Sequence, residues 1–384
     1  MMKTIAIRKL STLASIFCLA LSASAQHRVR TELAIPDIPG YLTLKCDFHM
    51  HTVFSDGLVW PTVRVEEAWR QGLDAIAITD HVEYHPYRTD VSTNLVRSYE
   101  IARATADSLG IILIPSAEIT RAEPPGHLNA LFLTNQNRLV TTDYREEVKI
   151  AAQQGAFLFW CHPGWKQPNG RSVWYPEQGE FHAAGFLHGL EIVNGNDYDP
   201  IVHQWCQDKN LTLVGNSDAH DPLDMVYERA QGELRPMTLV FASARHPSSI
   251  REALLARRTA VYSQNTVYGD TQFLSPLFSR SVDVKNPAVT IKGKGRIYLQ
   301  VRNHSVLDFE LKPAEKVEGI ALPAKFLLPA GKTALLSLQG TTTTLSGSQR
   351  LQLPFFVDNL KVAPNQPLRV VFEVLVTFIP VETK

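Results

Sequence analysis

The segment Asp47-Phe48-His49-Met50-His51-Thr52, followed by Ser55-Asp56-Gly57, places two imidazoles two residues apart at the end of an apolar run. On a strand such residues project to the same face, so His49 and His51 can reach one metal ion together. One His-x-His pair is weak on its own, because apolar strands often hold histidines for structural reasons. The arrangement recurs, however. Thr79-Asp80-His81 follows the run Ala75 to Ile78, Glu118 follows Ile111 to Ala117, and His162 follows Phe157 to Cys161. Asn216-Ser217-Asp218-Ala219-His220 follows Leu211 to Gly215, while His127 opens the run Leu128 to Leu133. Mixed imidazole and carboxylate donors suit zinc, iron or manganese, whereas calcium and magnesium favour all-oxygen sites. Several such ions held close together would make hydroxide at neutral pH, clamp phosphoryl oxygens and stabilise a leaving alkoxide. A bridging carboxylate would keep two of them roughly 3.5 to 4 Å apart.

Around these groups stand supporting candidates. Asp47 and Asp80 are expected to orient neighbouring histidines rather than to ligate. Asn194 ends the run Glu191-Ile192-Val193 and can meet a substrate. Arg121, Lys166 and Arg171 lie near the metal-binding segments, where a charge-assisted bond would grip a phosphate oxygen. His85, His182, His188, His203, His246 and His304 read one by one as structural or surface residues.

The elements that must position this chemistry alternate. Strand candidates at Leu42 to Phe48, Ala75 to Thr79, Ile111 to Pro115, Leu128 to Leu133, Ala156 to Cys161, Leu190 to Val193 and Leu211 to Val214 are interleaved with segments of helical spacing. Those segments are Val63 to Gln71, Leu95 to Leu109, Tyr144 to Gln154 and Ile201 to Lys209. Strand and helix in alternation imply an α/β fold with a parallel sheet, and seven or so such units suggest a barrel. Every candidate group except His127 then falls just past the carboxyl end of a strand, where barrel active sites are assembled. After about residue 265 the texture changes. Val289 to Ile291, Arg296 to Arg302, Thr333 to Leu338, Leu351 to Phe356 and Leu368 to Phe378 are β-rich runs separated by turn residues, the pattern of a small antiparallel sandwich.

Composition narrows the partners. Lys plus Arg equals Asp plus Glu at 38 each, so the chain has no broad positive field with which to hold a nucleic-acid duplex, and anionic substrates must be attracted locally. The chain of 384 residues is long enough for a large domain and a smaller companion. Neither a Walker loop nor a Gly-x-Gly-x-x-Gly is present. Residues 1–25 read as a signal peptide: Lys3, Arg8 and Lys9 form a basic start, Leu10 to Leu21 an apolar stretch, and Ala23-Ser24-Ala25 a small-residue cleavage site. The apolar stretch is shorter than the ~20 residues needed to span a bilayer. A soluble exported protein is therefore expected, periplasmic if the source has an outer membrane and otherwise secreted. Cys46, Cys161 and Cys206 remain after cleavage, an odd number without close spacing, which argues against a disulfide framework.

His49-Met50-His51-Thr52 with Ser55-Asp56-Gly57, Thr79-Asp80-His81, Glu118, Gly126-His127, Cys161-His162-Pro163 and Asn216-Ser217-Asp218-Ala219-His220 resemble the successive motifs of the PHP superfamily, the polymerase and histidinol phosphatase domain. A closing helix that ends in Arg-Arg-Thr-Ala-Val-Tyr is expected at Arg257 to Tyr262. The resemblance implies a distorted seven-stranded β/α, TIM-like barrel with a trinuclear metal site. It assigns His49, His51, Glu118 and Asp218 to a first metal, Glu118, His127 and His162 to a second, and Asp56, His81 and His220 to a third. Asp56 stands where some members have histidine. Glu118, Asp218 and His220 fall at the catalytic centre, and three divalent ions per chain (zinc, manganese or iron) are implied. The expected domains are a signal peptide at 1–25, a lead-in at 26–41, the phosphoesterase barrel at 42–264 and the β-sandwich at 265–384.

The expected reaction is hydrolysis of a phosphate monoester or diester of small size by a metal-bound hydroxide. Its rivals are a metal-dependent amidase or lactonase on a similar barrel and a metal-bearing binding protein without catalysis. Amidases and lactonases of that kind often bridge their metals with a carbamylated lysine, whereas the bridge position here is Glu118. Processing is directly testable. N-terminal sequencing of the mature protein from a soluble envelope fraction of its native host should begin at Gln26, and an intact Met1 in cytosolic material would refute export.

Overall fold

The computed structural model describes residues 29–167, 170–228 and 233–382. Residues 1–25, expected to be a signal peptide, lie outside the described residues. None of the helices among them is long and apolar enough to cross a membrane.

The first unit carries twelve strands: β1 (Leu42–Asp47), β2 (Ala75–Ala77), β3 (Ile112–Ile114), β4 (Ser116–Ile119), β5 (Leu128–Leu131), β6 (Phe157–Trp160), β7 (Leu187–Asn194), β8 (Asp197–Tyr198), β9 (Thr212–Asn216), β10 (Met237–Ala242), β11 (Thr259–Ser263) and β12 (Thr266–Gly269). Helices Pro61–Arg70, Arg97–Leu109, Tyr144–Gln153 and Pro200–Lys209 fall where the spacing predicts them. Pro61, Pro176, Pro200 and Pro247 each open a helix, where the missing N–H is no loss and the fixed φ favours the first turn. Gly110, at φ +67°, closes the helix before it in the left-handed conformation.

The expectation of an all-parallel sheet is corrected by the pairing. β1, β2 and β3 are parallel, as are β6, β7 and β9, but β4–β5–β6 and β1–β10–β11–β12 pair antiparallel. Among the described residues the ladders of the named strands close no ring, and isolated bridges at Met50–Ala219 and His81–Glu118 join the two sheets. The first unit's strands divide between two sheets, one running β12-β11-β10-β1-β2-β3 and the other β4-β5-β6-β7-β8 with β9 on β7. The break falls at Pro115, between β3 and β4. Proline has no N–H to donate to a ladder there. Likewise the helix expected to end at Arg257 to Tyr262 is helix Pro247–Leu255 followed by β11, whose Thr259, Ala260, Val261 and Tyr262 are β-formers paired to β10.

The second unit comprises β13 (Val282–Val284), β14 (Ala288–Lys292), β15 (Arg296–Asn303), β16 (Phe309–Pro313), β17 (Ile320–Ala321), β18 (Phe326–Leu328), β19 (Thr333–Gly340), β20 (Gly347–Ala363) and β21 (Gln366–Ile379). One sheet, β13-β15-β19-β17, faces a second built on the β20–β21 hairpin. Their inner residues alternate with solvent-facing ones, and Leu299, Val301, Leu336, Leu338, Phe355 and Val376 are fully buried between them. β20 also pairs in parallel with β12, so that sheet continues into the first unit. One apolar cluster runs from Met50, Leu73 and Ile76 through Phe273 and Phe309 to Phe355.

Backbone bridges carry the pairing past the strand ends. His51 N donates to Ala219 O and Asp218 N to His49 O, Val82 N donates to Glu118 O, and Cys161 N to His127 O. Helix Pro61–Arg70 adds a clamp. Arg64, fully buried, uses all five guanidinium N–H groups: Nε on His51 O at 2.8 Å, Nη1 on Glu67 Oε2 and Asp221 O at 2.9 Å each, and Nη2 on Ala219 O and His220 O at 2.8 Å each. Neutral Arg64→Met would take one donor from each of four carbonyls and leave Glu67 buried beside no cation, a loss of about 3–5 kcal/mol. Denaturant unfolding should show that loss for Arg64→Met and less than about 0.5 kcal/mol for the half-exposed Arg70→Met on the same helix.

Candidate metal centre

The structure brings all nine sequence-predicted donors together at one end of the first unit. His49 and His51 follow β1, His81 follows β2, His162 follows β6, and Asp218 and His220 follow β9. Glu118 is not beyond a strand end as expected, but lies within β4. His127 precedes β5, and the antiparallel β4–β5 pairing, with Ile119 opposite Leu128, puts the start of β5 beside the end of β4. The apparent exception in the strand-end pattern is thus a reversal of strand direction.

Three sets of donor atoms form around Glu118. Its Oε2 lies 3.3 Å from His49 Nε2 and 3.1 Å from His51 Nε2, and Asp218 Oδ1 lies 3.1 and 3.2 Å from the same two nitrogens. Its Oε1 faces the other way, 2.7 Å from His127 Nδ1 and 3.8 Å from His162 Nε2. Asp56 Oδ1 gathers His81 Nε2 at 3.3 Å and His220 Nε2 at 3.2 Å, with His51 Nδ1 at 3.9 Å. Donor atoms within each of the groups His49/His51/Asp218 and His51/Asp56/His81/His220 lie within 4.8 Å of one another.

These contacts do not satisfy the atoms that make them. His51 Nε2, Asp56 Oδ1 and Asp218 Oδ1 are buried without a hydrogen-bond partner, although His51 Nε2 and Asp218 Oδ1 are only 3.2 Å apart. Lone pairs directed at a shared point give this result, and a cation at that point satisfies them. The electrostatics agree. Burial alone would lower the His81 pKa, but Glu118 and Asp56 raise it to about 10. Burial likewise opposes a charged His49, and Asp218 and Glu191 outweigh it. Burial would raise the Glu118 carboxyl, yet His81 and His49, with bonds from His127 and His162, hold it well below the usual carboxylate range. His127 runs the other way: burial lowers it, and the neighbouring His162 and His81 add to that against the Glu118 contact. The carboxylates demand positive charge at their centre.

An outer layer orients the donors. Asp80 accepts from Thr52 N at 2.8 Å and from Ser55 Oγ at 2.9 Å, and Ser55 Oγ meets His51 Nδ1 at 3.2 Å, so Asp80 reaches its histidine through a hydroxyl. Asp47 differs from expectation. It binds Ser217 Oγ at 2.6 Å and Arg235 Nη1 at 3.0 Å and fixes the loop before Asp218, without touching an imidazole. Sequence reasoning missed Glu191, whose Oε1 lies 3.1 Å from His49 Nδ1 and which also accepts from His162 N, Asn194 Nδ2 and Asn216 Nδ2. The available signal was a carboxylate inside the otherwise apolar run Leu190 to Val193, a place where charge is buried only when paired. Gly57 is required by contact, because a Cβ there would lie 2.5 Å from the His51 carbonyl carbon and oxygen. His162 and Asp218 sit at φ +31° and +49°, strained values for residues with a side chain.

Seven of the nine donors, all but His49 and His51, line a cavity of about 910 Å³ that also presents Tyr84, Thr120, Arg121, Trp165, Lys166 and Asn194. Arg121 is not free to hold a phosphate, since its Nη2 pairs with Glu83 Oε1 at 2.9 Å and with Glu147. Lys166 rests its ammonium on the Trp165 ring, 3.9 Å from the centroid. Asn194 donates to Glu191 and, at 3.1 Å, to Asp218 Oδ2. Arg171 is exposed and does not line the cavity. Cys46, Cys161 and Cys206 are free, buried thiols.

Comparison with known proteins bears on the whole chain. A family model described as an Ig-like domain matches residues 282–373, within the second unit. An uncharacterized protein of Methanocaldococcus jannaschii is 36% identical over 193 residues, which is 48% of this chain and 84% of that one. The crystal structure of a Bacteroides vulgatus protein, described as a two-domain protein containing a predicted PHP-like metal-dependent phosphoesterase, is 41% identical with a TM-score of 0.85. The match covers 90% of this chain and 99% of that one. With both units and the donor cluster in place, the chain belongs to this family of two-domain proteins, a PHP-like metal-dependent phosphoesterase unit followed by an Ig-like domain.

Proposed function

We propose that the protein hydrolyses phosphate esters at a trinuclear centre of zinc, manganese or iron ions. The observation that carries this reading is the division of Glu118, whose Oε2 turns to His49, His51 and Asp218 while its Oε1 turns to His127 and His162. His49, His51, Glu118 and Asp218 would hold one ion, Glu118, His127 and His162 a second, and Asp56, His81 and His220 a third. Bound divalent ions supply Lewis acidity toward phosphoryl oxygens and lower the pKa of water at the site.

The chain's own groups do the positioning. Glu118 and Asp218 keep negative charge fixed beneath the reacting phosphate, and Glu191 holds the His49 ring through Nδ1, leaving Nε2 to face inward. His220, the most exposed of the donors, stands on the open side where substrate enters. Arg121 is committed to carboxylates, so Lys166 is the cation on the described cavity wall that remains available to an ester oxygen. A small phosphorylated molecule fits a cavity of about 910 Å³, and we propose that it is met outside the cytoplasm. The amidase or lactonase alternative gains nothing from the site, because the bridging position is a glutamate and the lysine on the wall stands at Trp165 rather than between donor sets.

Glu118→Gln keeps the side-chain size but offers a neutral amide between two cations. Elemental analysis should show the loss of one or more ions per chain, turnover of phosphate esters should fall by at least about 100-fold, and far-UV circular dichroism should stay unchanged. Full metal occupancy with near-normal turnover in the folded variant would refute the bridge. Chelation of the native protein should abolish turnover, and readdition of zinc, manganese or iron(II) should restore it. Activity that survives complete metal removal would refute the reading as a whole.

A further inference from the structure

Two large aromatic side chains are exposed inside the same cavity. Trp165 is 43% and Tyr84 52% exposed. The indole lies next to the donors, its centroid 5.0 Å from His127 and 5.3 Å from His162, and is inclined to them at 60° and 65°, so neither imidazole lies flat on it. A backbone bond from Trp165 N to His162 O at 2.8 Å ties the main chain that carries the indole to that donor's. Tyr84 lies beside a different donor, 6.0 Å from the His81 ring. Trp165 also lines a second cavity of about 470 Å³. Apolar area of this size, held beside a polar centre and open to solvent, marks a place where a ligand completes the packing.

We propose that Trp165 is the platform on which the organic group of the substrate stacks, and that the preferred substrates are phosphate esters whose alcohol carries a flat unsaturated ring close to the ester oxygen. The inference rests on the phosphoesterase reading above and adds the class of leaving group. A phosphoryl group among the donors places its ester oxygen within a few bonds of the indole, because only about 5 Å separates Trp165 from His127 and His162. The Lys166 ammonium now over the ring is solvent-exposed, so its hold is weak and a ring that excludes water replaces it. Once displaced, Lys166 remains beside the ester and can pair with its negative charge. A flat ring gains about tenfold in binding from such a stack, which a puckered ring of the same size cannot match.

Benzyl phosphate and cyclohexylmethyl phosphate test this, since their alcohols are similar in acidity and size and differ in flatness. With the metal-loaded mature protein, kcat/KM should favour the benzyl ester by about tenfold. The preference should persist in Trp165→Phe and fall to within about twofold of unity in Trp165→Leu. Because each ratio is taken within one protein, a change in metal content cancels. Calorimetric binding of the matching phosphonates, benzylphosphonate and cyclohexylmethylphosphonate, should show the same order. A ratio near unity in the native protein, or one that Trp165→Leu leaves intact, overturns the platform, and turnover of both esters would then leave the phosphoesterase reading standing. Ring preference in phosphonate binding with turnover of neither ester would support the platform and overturn the phosphoesterase reading instead.

Discussion

A glutamate with no solvent exposure cannot stay ionised in a protein interior unless positive charge is brought to it. Glu118 is such a residue, and the site is arranged around its two oxygens. Four histidines, His49, His51, His81 and His127, come within 3.3 Å of them, and a fifth, His162, within 3.8 Å. Asp218 and Asp56 then add negative charge beside the same imidazoles rather than balancing them. Protons alone answer that demand by pushing histidines such as His81 far above their ordinary range, a condition that divalent cations relieve. With its imidazoles neutral the cluster carries the uncompensated charge of Asp56, Glu118 and Asp218, which a mere packing role for the histidines would not require.

Donors that attract a common centre must also be kept from collapsing onto one another, and here the surrounding layer acts. Arg64 ties the backbone after His51 to that of residues 219–221, so two donor-bearing loops are held by one planar group. Asp47 and Arg235 fix Ser217 just ahead of Asp218, and Asp80 sets the turn that carries Ser55 and Asp56. Glu191 braces His49 and the His162 backbone from behind. The left-handed backbone at His162 and Asp218 persists because these attachments over-determine it.

The sequence made the donors legible because each lies at a change from an apolar run to a polar motif, a local signal. It showed most strands and four helices for the same reason, through periodicity. What it concealed was relational. Strand direction is not written in the pattern of Leu128 to Leu133 or of Met237 to Ala242, so the antiparallel pairs are out of reach of the sequence and His127 looks misplaced in it. The motif resemblance puts Val261 and Tyr262 at the end of a helix, although their residue types favour a strand. Arg64 and Glu191 sit in segments whose apolar spacing accounts for the fold without them, and only the three-dimensional accounting of donors and acceptors gives them their roles. Arg121 shows the converse, a cation near the site whose charge is consumed by Glu83 and Glu147.

The Ig-like unit contributes none of the nine donors, yet it is not simply appended. Its strand β20 pairs with β12, and from there the sheet runs through β11 and β10 to β1, the strand that leads into His49 and His51. The apolar cluster that contains Met50, between those two histidines, also contains Phe309 and Phe355 of the sandwich. Packed interiors transmit strain because they have little free volume in which to absorb it. The second unit is therefore joined to the first through a continuous sheet and a common core, as a buttress for the strand that leads into the first donor pair.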